Sequence, residues 1–129
     1  MRRGFTLLEL IVVIIIIGIL GTLGFTQYSR VIERSRGAEA KAVLGTIRTA
    51  ATAYNLQNPT SAYPTNITTL GVDVPGTSYF TYGIDASGVG TATRCSSNAT
   101  TCKNSVAAGD VYTINLTVNG TYGGTAGYF

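Results

Sequence analysis

Residues 5–25 read FTLLELIVVIIIIGILGTLGF, and this stretch decides the fold. It carries one charge, Glu9, and contains an unbroken aliphatic run from Leu10 to Ile17. At about 1.5 Å per residue, a helix of this length reaches about 30 Å, the thickness of the hydrocarbon core of a bilayer. The stretch is too long for one strand, and a 129-residue chain has too little other apolar mass to bury it on all sides. The sequence therefore predicts a membrane-spanning helix.

A cleaved secretory signal is the alternative interpretation of this stretch. Arg2 and Arg3 precede it, and residues 22–24, Thr-Leu-Gly, form an acceptable cleavage site. Glu9 argues against a signal because a charge is costly so early in the apolar region. The stretch also continues into a second helical pattern without a break. In both cases Arg2 and Arg3 predict that the N-terminus stays in the cytoplasm and that the rest is exported.

The helical pattern extends far beyond the apolar stretch. Apolar residues recur at spacings of three and four over residues 40–54, which is typical of an amphipathic helix. Asn58-Pro59 ends the pattern, because the residue before a proline leaves the helical region. We therefore predict one continuous helix from about residue 5 to residue 57, about 80 Å long. The remaining residues cannot wrap such a rod, so membrane or other subunits must cover much of it.

The second half of the chain reads as a small sheet. Residues 59–77 are punctuated by Pro59, Pro64 and Pro75 and predict a loop. Asn119-Gly120 predicts a type I′ hairpin turn, after which the chain returns from Thr121. We expect an antiparallel sheet whose apolar face packs on the helical stripe at 40–54, which gives an α+β fold. Three stretches have the alternating pattern of strands: 78–84, 89–93 and 111–118.

From the composition we predict that the chain is not an enzyme. The chain has no His, so no imidazole can act as a base, an acid or a metal ligand near neutral pH. No Ser or Thr has a base beside it in the sequence, and no acidic loop has calcium spacing. The formal net charge is +3, and Arg2 and Arg3 at the extreme N-terminus contribute two of these charges. The rest of the chain is therefore nearly neutral, so its charge does not indicate nucleic acid binding. We predict no catalytic, cofactor-binding or metal-binding residues.

The two cysteines predict a disulfide. Cys95 and Cys102 lie seven positions apart in a polar segment that we expect to be exported, where oxidising conditions favour disulfides. The bond would close a short loop between strands. In the chain-entropy description it stabilises the fold by about 2–3 kcal/mol.

The start of the chain resembles a known family. Residues 4–9 read Gly-Phe-Thr-Leu-Leu-Glu, after Arg2 and Arg3 and before the apolar run. This resembles the N-terminal signature of the type IV pilins and type II secretion pseudopilins, Gly-Phe-Thr-Leu-x-Glu before a hydrophobic helix. The resemblance is specific over residues 3–25 and weaker to about Asn55. Beyond that residue, only the layout of helix, loop, sheet and disulfide agrees.

The resemblance implies a processing step and an assembled state. In this family a prepilin peptidase cuts after the glycine, here Gly4, and methylates the new N-terminal residue, here Phe5. The implied regions are a leader at 1–4, a transmembrane and filament-core helix at 5–25 and a globular domain at 26–129 that includes the C-terminal half of the helix. The precursor would lie in the bacterial cytoplasmic membrane. Inner-membrane assembly machinery would then build it into an extracellular homo-oligomeric helical filament.

Four residues of the apolar stretch are candidate assembly residues. Glu9 is a carboxylate at the start of an apolar helix, and we expect it to pair with the amine of Phe5, within one chain or across two subunits. Thr6 and Glu9 also fit a capping box, so helix capping alone is the alternative. Many family members carry Pro at the position of Thr26, so any unwinding here must come from the glycines. Gly18, Gly21 and Gly24 predict either local unwinding or close helix packing.

Three functions follow from these features. The first is a structural subunit, a major pilin, of a type IV pilus-like filament. The second is a pseudopilin of a type II secretion system, which shares the N-terminus. The third, of another class, is a membrane-anchored binding module that never polymerises. The sequence does not choose among adhesion, twitching motility, DNA uptake, electron transfer and secretion as the role of a filament.

Overall fold

A computed structural model of the protein describes residues 4–76, 78–96, 102–103 and 105–126. The chain divides into two compact units, Met1–Ser35 and Arg36–Phe129, and one long helix contributes residues to both. The predicted α+β class, a long helix with a small antiparallel sheet, is confirmed. The elements are helix α1 (Leu7–Gln57), two short 3₁₀ helices (Ile67–Leu70 and Ala108–Asp110) and strands β1 (Phe80–Ile84), β2 (Gly90–Arg94), β3 (Thr113–Leu116) and β4 (Tyr122–Gly124).

Helix α1 has 51 residues and matches the predicted span closely. It begins at Leu7, two residues after the predicted start, and it ends at Gln57 as expected. The Asn58 N–H donates to the Tyr54 carbonyl at 2.9 Å, and the Asn58 side-chain amide donates to the same carbonyl at 3.1 Å. Pro59 follows and has no N–H with which to continue the helix.

The four strands form an antiparallel meander in the order β1-β2-β3-β4. Phe80 pairs with Arg94, Ala92 with Ile114, and Leu116 with Tyr122. Because side chains alternate across a strand, this register places the apolar residues of the first three strands on one face. The opposite face carries Thr81, Thr91, Thr93, Thr113 and Asn115.

The core of the second unit lies between α1 and the apolar face of the sheet, as predicted. The helix contributes Ala40, Leu44, Ile47 and Ala51, all fully buried. Gly90 allows the sheet to approach closely, since a Cβ there would lie 3.2 Å from Leu44 Cδ2. The sheet side of the core consists of Phe80, Ile84, Ala92, Tyr112, Ile114 and Leu116.

The strands differ from the predicted ones in length. The stretches predicted at 78–84 and 111–118 shorten to Phe80–Ile84 and Thr113–Leu116, and the one predicted at 89–93 becomes Gly90–Arg94. Ser78 lies outside β1 because it forms an isolated parallel bridge with Cys102 instead. The alternating pattern thus locates a strand without showing where its ladder of hydrogen bonds stops.

The prediction of a type I′ turn centred on Asn119-Gly120 is wrong, because the observed turn is shifted by one residue. The Gly120 N–H donates to the Thr117 carbonyl at 2.9 Å, so Val118 and Asn119 occupy the centre of the turn. Gly120 follows with φ of 87°, a left-handed conformation that glycine adopts without strain. The Thr117 N–H donates to the Thr121 carbonyl at 3.0 Å and closes a three-residue loop. Glycine in the left-handed position is typical of such loops.

Candidate processing and assembly segment

The predicted cleavage point lies in the non-helical start of the chain. Gly4, Phe5 and Thr6 precede α1, which begins at Leu7. The Phe5 residue is 81% exposed, and Gly4 is exposed as well. The peptide bond between Gly4 and Phe5 is therefore accessible and outside the helical hydrogen bonding, which suits a peptidase substrate.

Thr6 and Glu9 form a reciprocal hydrogen-bonded pair at the start of α1. The Thr6 N–H donates to Glu9 Oε2 at 3.0 Å, and the Thr6 hydroxyl donates to the same oxygen at 2.8 Å. In return the Glu9 N–H donates to Thr6 Oγ1 at 3.3 Å. These bonds form a capping box, which satisfies backbone donors that the first helical turn leaves free. Helix capping by Glu9 is therefore present in the single chain, and its role in assembly stays a prediction.

The apolar stretch is exposed along its whole length. Every residue from Gly4 to Phe25 is exposed, including the run from Leu10 to Ile17. By length and composition α1 is able to cross a membrane. Exposed aliphatic surface on this scale is unfavourable in water, since each fully buried aliphatic side chain gains about 1.5–3 kcal/mol. Membrane or other polypeptide must cover it in the functional state.

The three glycines of the stretch lie within unbroken helix. The α-helix runs through Gly18, Gly21 and Gly24, and the Thr22 hydroxyl donates to the Gly18 carbonyl at 2.9 Å. Among the described residues, and apart from the adjoining residues and the nearby backbone of α1 itself, a Cβ at any of the three glycines would meet no atom within 4 Å. The packing of the single chain therefore gives no reason for glycine at these positions. Unwinding and close packing in an assembly both stay predictions.

The disulfide lies in the second unit and begins directly after strand β2. Cys95 and Cys102 are joined by a disulfide, with their Cα atoms 5.8 Å apart, so the pairing expected from the sequence is present. The Cys95 N–H donates to the Tyr79 carbonyl at 3.0 Å, and the Lys103 N–H donates to the Ser78 carbonyl at 3.0 Å. The disulfide closes a loop after β2, and these two hydrogen bonds attach the loop to the residues just before β1.

A buried arginine was not anticipated from the sequence. Arg94 is 1% exposed and faces the core side of β2, where an apolar residue is expected. Its Nη1 donates to the Tyr79 carbonyl at 2.9 Å, and its guanidinium lies 5.8 Å from the centre of the Phe80 ring. The Tyr79 ring also lies 4.7 Å from the Arg36 guanidinium. The aromatic pair Tyr79-Phe80 was the sequence signal for this site, since aromatic faces attract cations.

A groove of about 540 Å³ was also missed. It lies between the loop at residues 65–76 and strand β1. The apolar part of its wall includes Ile67, Val72 and Val74, and Asp73 is the one charged residue in the lining described. Tyr82 lines it too, and burial raises the pKa of its hydroxyl, which accepts a hydrogen bond from Ser78 at 3.4 Å. The loop was predicted only as a loop, without the 3₁₀ helix that shapes this wall.

Among residues 4–76, 78–96, 102–103 and 105–126, no three His, Cys, Asp or Glu side chains come together as a possible metal site.

Comparison with known proteins identifies the N-terminal segment. Residues 1–25 match the family model of the prokaryotic N-terminal methylation motif, which is the type IV pilin and pseudopilin signature. No curated protein and no solved structure matches the chain. The motif implies processing by a prepilin peptidase and pilus-type assembly. Together with the apolar helix, it fits a membrane-anchored precursor.

Proposed function

We propose that this chain, whose first 25 residues carry the type IV pilin and pseudopilin signature, is the major structural subunit of a type IV pilus-like filament. It polymerises through its N-terminal apolar helix. The observation that carries the proposal is the apolar stretch of α1, every residue of which is exposed and which follows an accessible Gly4–Phe5 bond. The stretch needs cover from outside the chain, and two different environments supply it in turn.

The two environments correspond to the two states of the subunit. In the precursor, the bilayer covers residues 5–25, and Arg2 and Arg3 hold the N-terminus on the cytoplasmic side. In the filament, the same residues of neighbouring copies cover each other. Transfer from lipid to a helix bundle exchanges one apolar environment for another, so close packing and polar pairs must supply the preference for the filament.

Glu9 is the polar group best placed to supply that preference. A carboxylate within a membrane costs about 2.5–3.5 kcal/mol at the bilayer centre, and less near the edge. Cleavage after Gly4 creates a new cation, the amine of Phe5. We propose that this amine, on an incoming subunit, pairs with Glu9 of a docked subunit. The pair removes two costly charges from apolar surroundings and sets the axial register.

Two other functions remain as alternatives with distinct outcomes. A pseudopilin of a type II secretion system shares the processed N-terminus but forms a short filament. A membrane-anchored binding module uses residues 5–25 only as an anchor, and the purified protein is then a monomer in detergent.

Electron microscopy of sheared surface material tests the proposal. We expect long, thin filaments from cells that express the chain, and mass spectrometry should find this chain as their main protein. Short filaments that appear only on overexpression would favour the pseudopilin. A protein that stays monomeric in detergent and yields no filaments would favour the binding module and contradict assembly.

A further inference from the structure

We propose that the groove between residues 65–76 and β1 is an assembly site that receives the helical segment 26–35 of a second copy of this chain. In this contact Arg34 pairs with Asp73, and Val31 enters the apolar part of the groove. The inference rests on the proposed function, because it names a contact between subunits of the filament.

The groove is lined by apolar residues and one carboxylate, so it suits an apolar surface that carries one cation. Its volume of about 540 Å³ accommodates side chains from one face of a helix, and not a whole helix. Ile67, Val72 and Val74 supply apolar wall and are only partly buried by the chain itself. Asp73 is exposed at this wall, and the described lining contains no Lys or Arg to neutralise it.

The segment 26–35 has the matching chemistry. Val31 is 61% exposed, and Arg34 is exposed three positions further along. Residues three apart lie on the same face of a helix, so one face presents an apolar side chain beside a cation. Recognition of such a face by an apolar groove is a recurrent mode of helix binding.

The filament brings a second copy to this segment. Residues 5–25 must be covered by the equivalent helices of other copies, and residues 26–35 follow them directly, over about 15 Å of helix. Beyond the shared apolar core, the globular units of neighbouring copies are available to cover this stretch. The groove is an apolar concavity of that unit and carries a carboxylate that can meet a cation.

Exchange of the two charges tests the pairing. Asp73→Lys should reduce the polymerised fraction of the chain about tenfold or more, because close charge pairs at interfaces have coupling energies of about 1.5 kcal/mol or more. Arg34→Glu should do the same. The double variant, Asp73→Lys with Arg34→Glu, restores an opposite pair and should recover most of the filaments.

Asp110→Lys is the matched control, because Asp110 is exposed and lies outside the groove. It should leave assembly intact, and it should not rescue Arg34→Glu. Membrane level, cleavage and the Cys95–Cys102 bond should be unchanged in every variant, which separates assembly from folding.

The outcomes distinguish this inference from the proposed function. If wild type forms filaments and Asp73→Lys forms as many, the groove does not receive the segment; a small cationic ligand in the groove would give this result. If Asp73→Lys impairs assembly but Arg34→Glu does not restore it, the Arg34 pairing is wrong. If wild type forms no filaments, the proposed function fails and this inference fails with it.

Discussion

Glu9 Oε2 accepts hydrogen bonds from both the N–H and the hydroxyl of Thr6, at 3.0 and 2.8 Å. Thr6 is the residue next to Phe5, so the carboxylate is already oriented beside the point where cleavage creates an amine. The capping box and the proposed subunit pairing therefore use the same carboxylate at two stages. Capping operates in the single chain, and pairing with an amine becomes available once the leader has been removed.

Replacement of Glu9 by Gln separates these two roles. Gln still accepts hydrogen bonds in a capping box but carries no charge to pair with the Phe5 amine. We expect Glu9→Gln to be expressed, inserted and largely cleaved, and to form few or no filaments. Sheared-filament yield, measured beside the cleaved fraction on the same samples, checks this prediction.

Asp110→Asn serves as the control for Glu9→Gln, since it also removes one carboxylate but lies outside the apolar stretch. It should assemble normally. If Glu9→Gln subunits polymerise as well as wild type, the carboxylate acts only as a helix cap.

The glycines of the apolar stretch should weaken the helix, which would allow this segment to unwind in the filament. Each glycine in a helix costs about 1 kcal/mol relative to alanine, so replacing Gly18, Gly21 and Gly24 together should stabilise this segment by about 3 kcal/mol. Apart from the adjoining residues and the nearby backbone of α1, no atom in the part of the chain that the structure describes lies within 4 Å of the added Cβ positions, so the subunit should accept the change. We expect slower amide exchange in this segment in detergent and impaired assembly.

The helical rise of filaments built from the triple-alanine variant shows whether assembly depends on the glycines. Normal filaments with unchanged rise would show that neither unwinding nor close packing at these positions is required.

Removal of the disulfide should destabilise the second unit. Replacing Cys95 and Cys102 by alanine reopens the short loop that follows β2, at a cost of about 2–3 kcal/mol in the free energy of unfolding. Urea denaturation of the purified full-length chain in detergent, followed by circular dichroism, measures this loss. Wild type treated with a reducing agent should shift in the same direction, and an unchanged midpoint in both would refute the stabilising role.

Arg48 should stabilise the hairpin of β3 and β4. Its Nε donates to the Val118 carbonyl at 2.8 Å, and hydrogen bonds that involve a charged group contribute about 1.5–3 kcal/mol. Arg48→Met keeps an apolar stem and removes the donor, so we expect a loss of this size in the free energy of unfolding. Lys41→Met is a useful comparison because it removes a cation 5.6 Å from the Tyr122 ring, worth about 0.5–1 kcal/mol. Equal effects of the two changes would contradict the assigned hydrogen bond.

The features that the sequence predicts well are those with a local physical cause. The helix is set by uninterrupted apolar residues, by the Thr6–Glu9 cap and by Pro59, all of which can be read along the chain. The apolar faces of helix and sheet follow from periodicity, so the contact of Leu44 and Ile47 with the sheet was expected. The processing motif is contiguous and is read directly from residues 4–9.

The features that were missed depend on contacts between distant parts of the chain. Arg94 is buried because the Tyr79 carbonyl and two aromatic rings surround it, and that environment exists only after β1 and β2 have paired. The groove requires the loop around Asp73 to pack beside β1, for which no periodic pattern exists. The position of Gly120 depends on how β3 and β4 align, which the Asn-Gly dipeptide alone leaves undetermined.

The intact mass of the chain in purified surface filaments tests the central claim most directly. The account predicts a protein that begins at Phe5, carries one methyl group on its amine and retains the whole of residues 5–25. The same filaments should contain it as their main component. A mature chain that begins at Phe25 would show cleavage as an ordinary secretory signal. The apolar helix would then be lost before assembly, and the filament account would be contradicted.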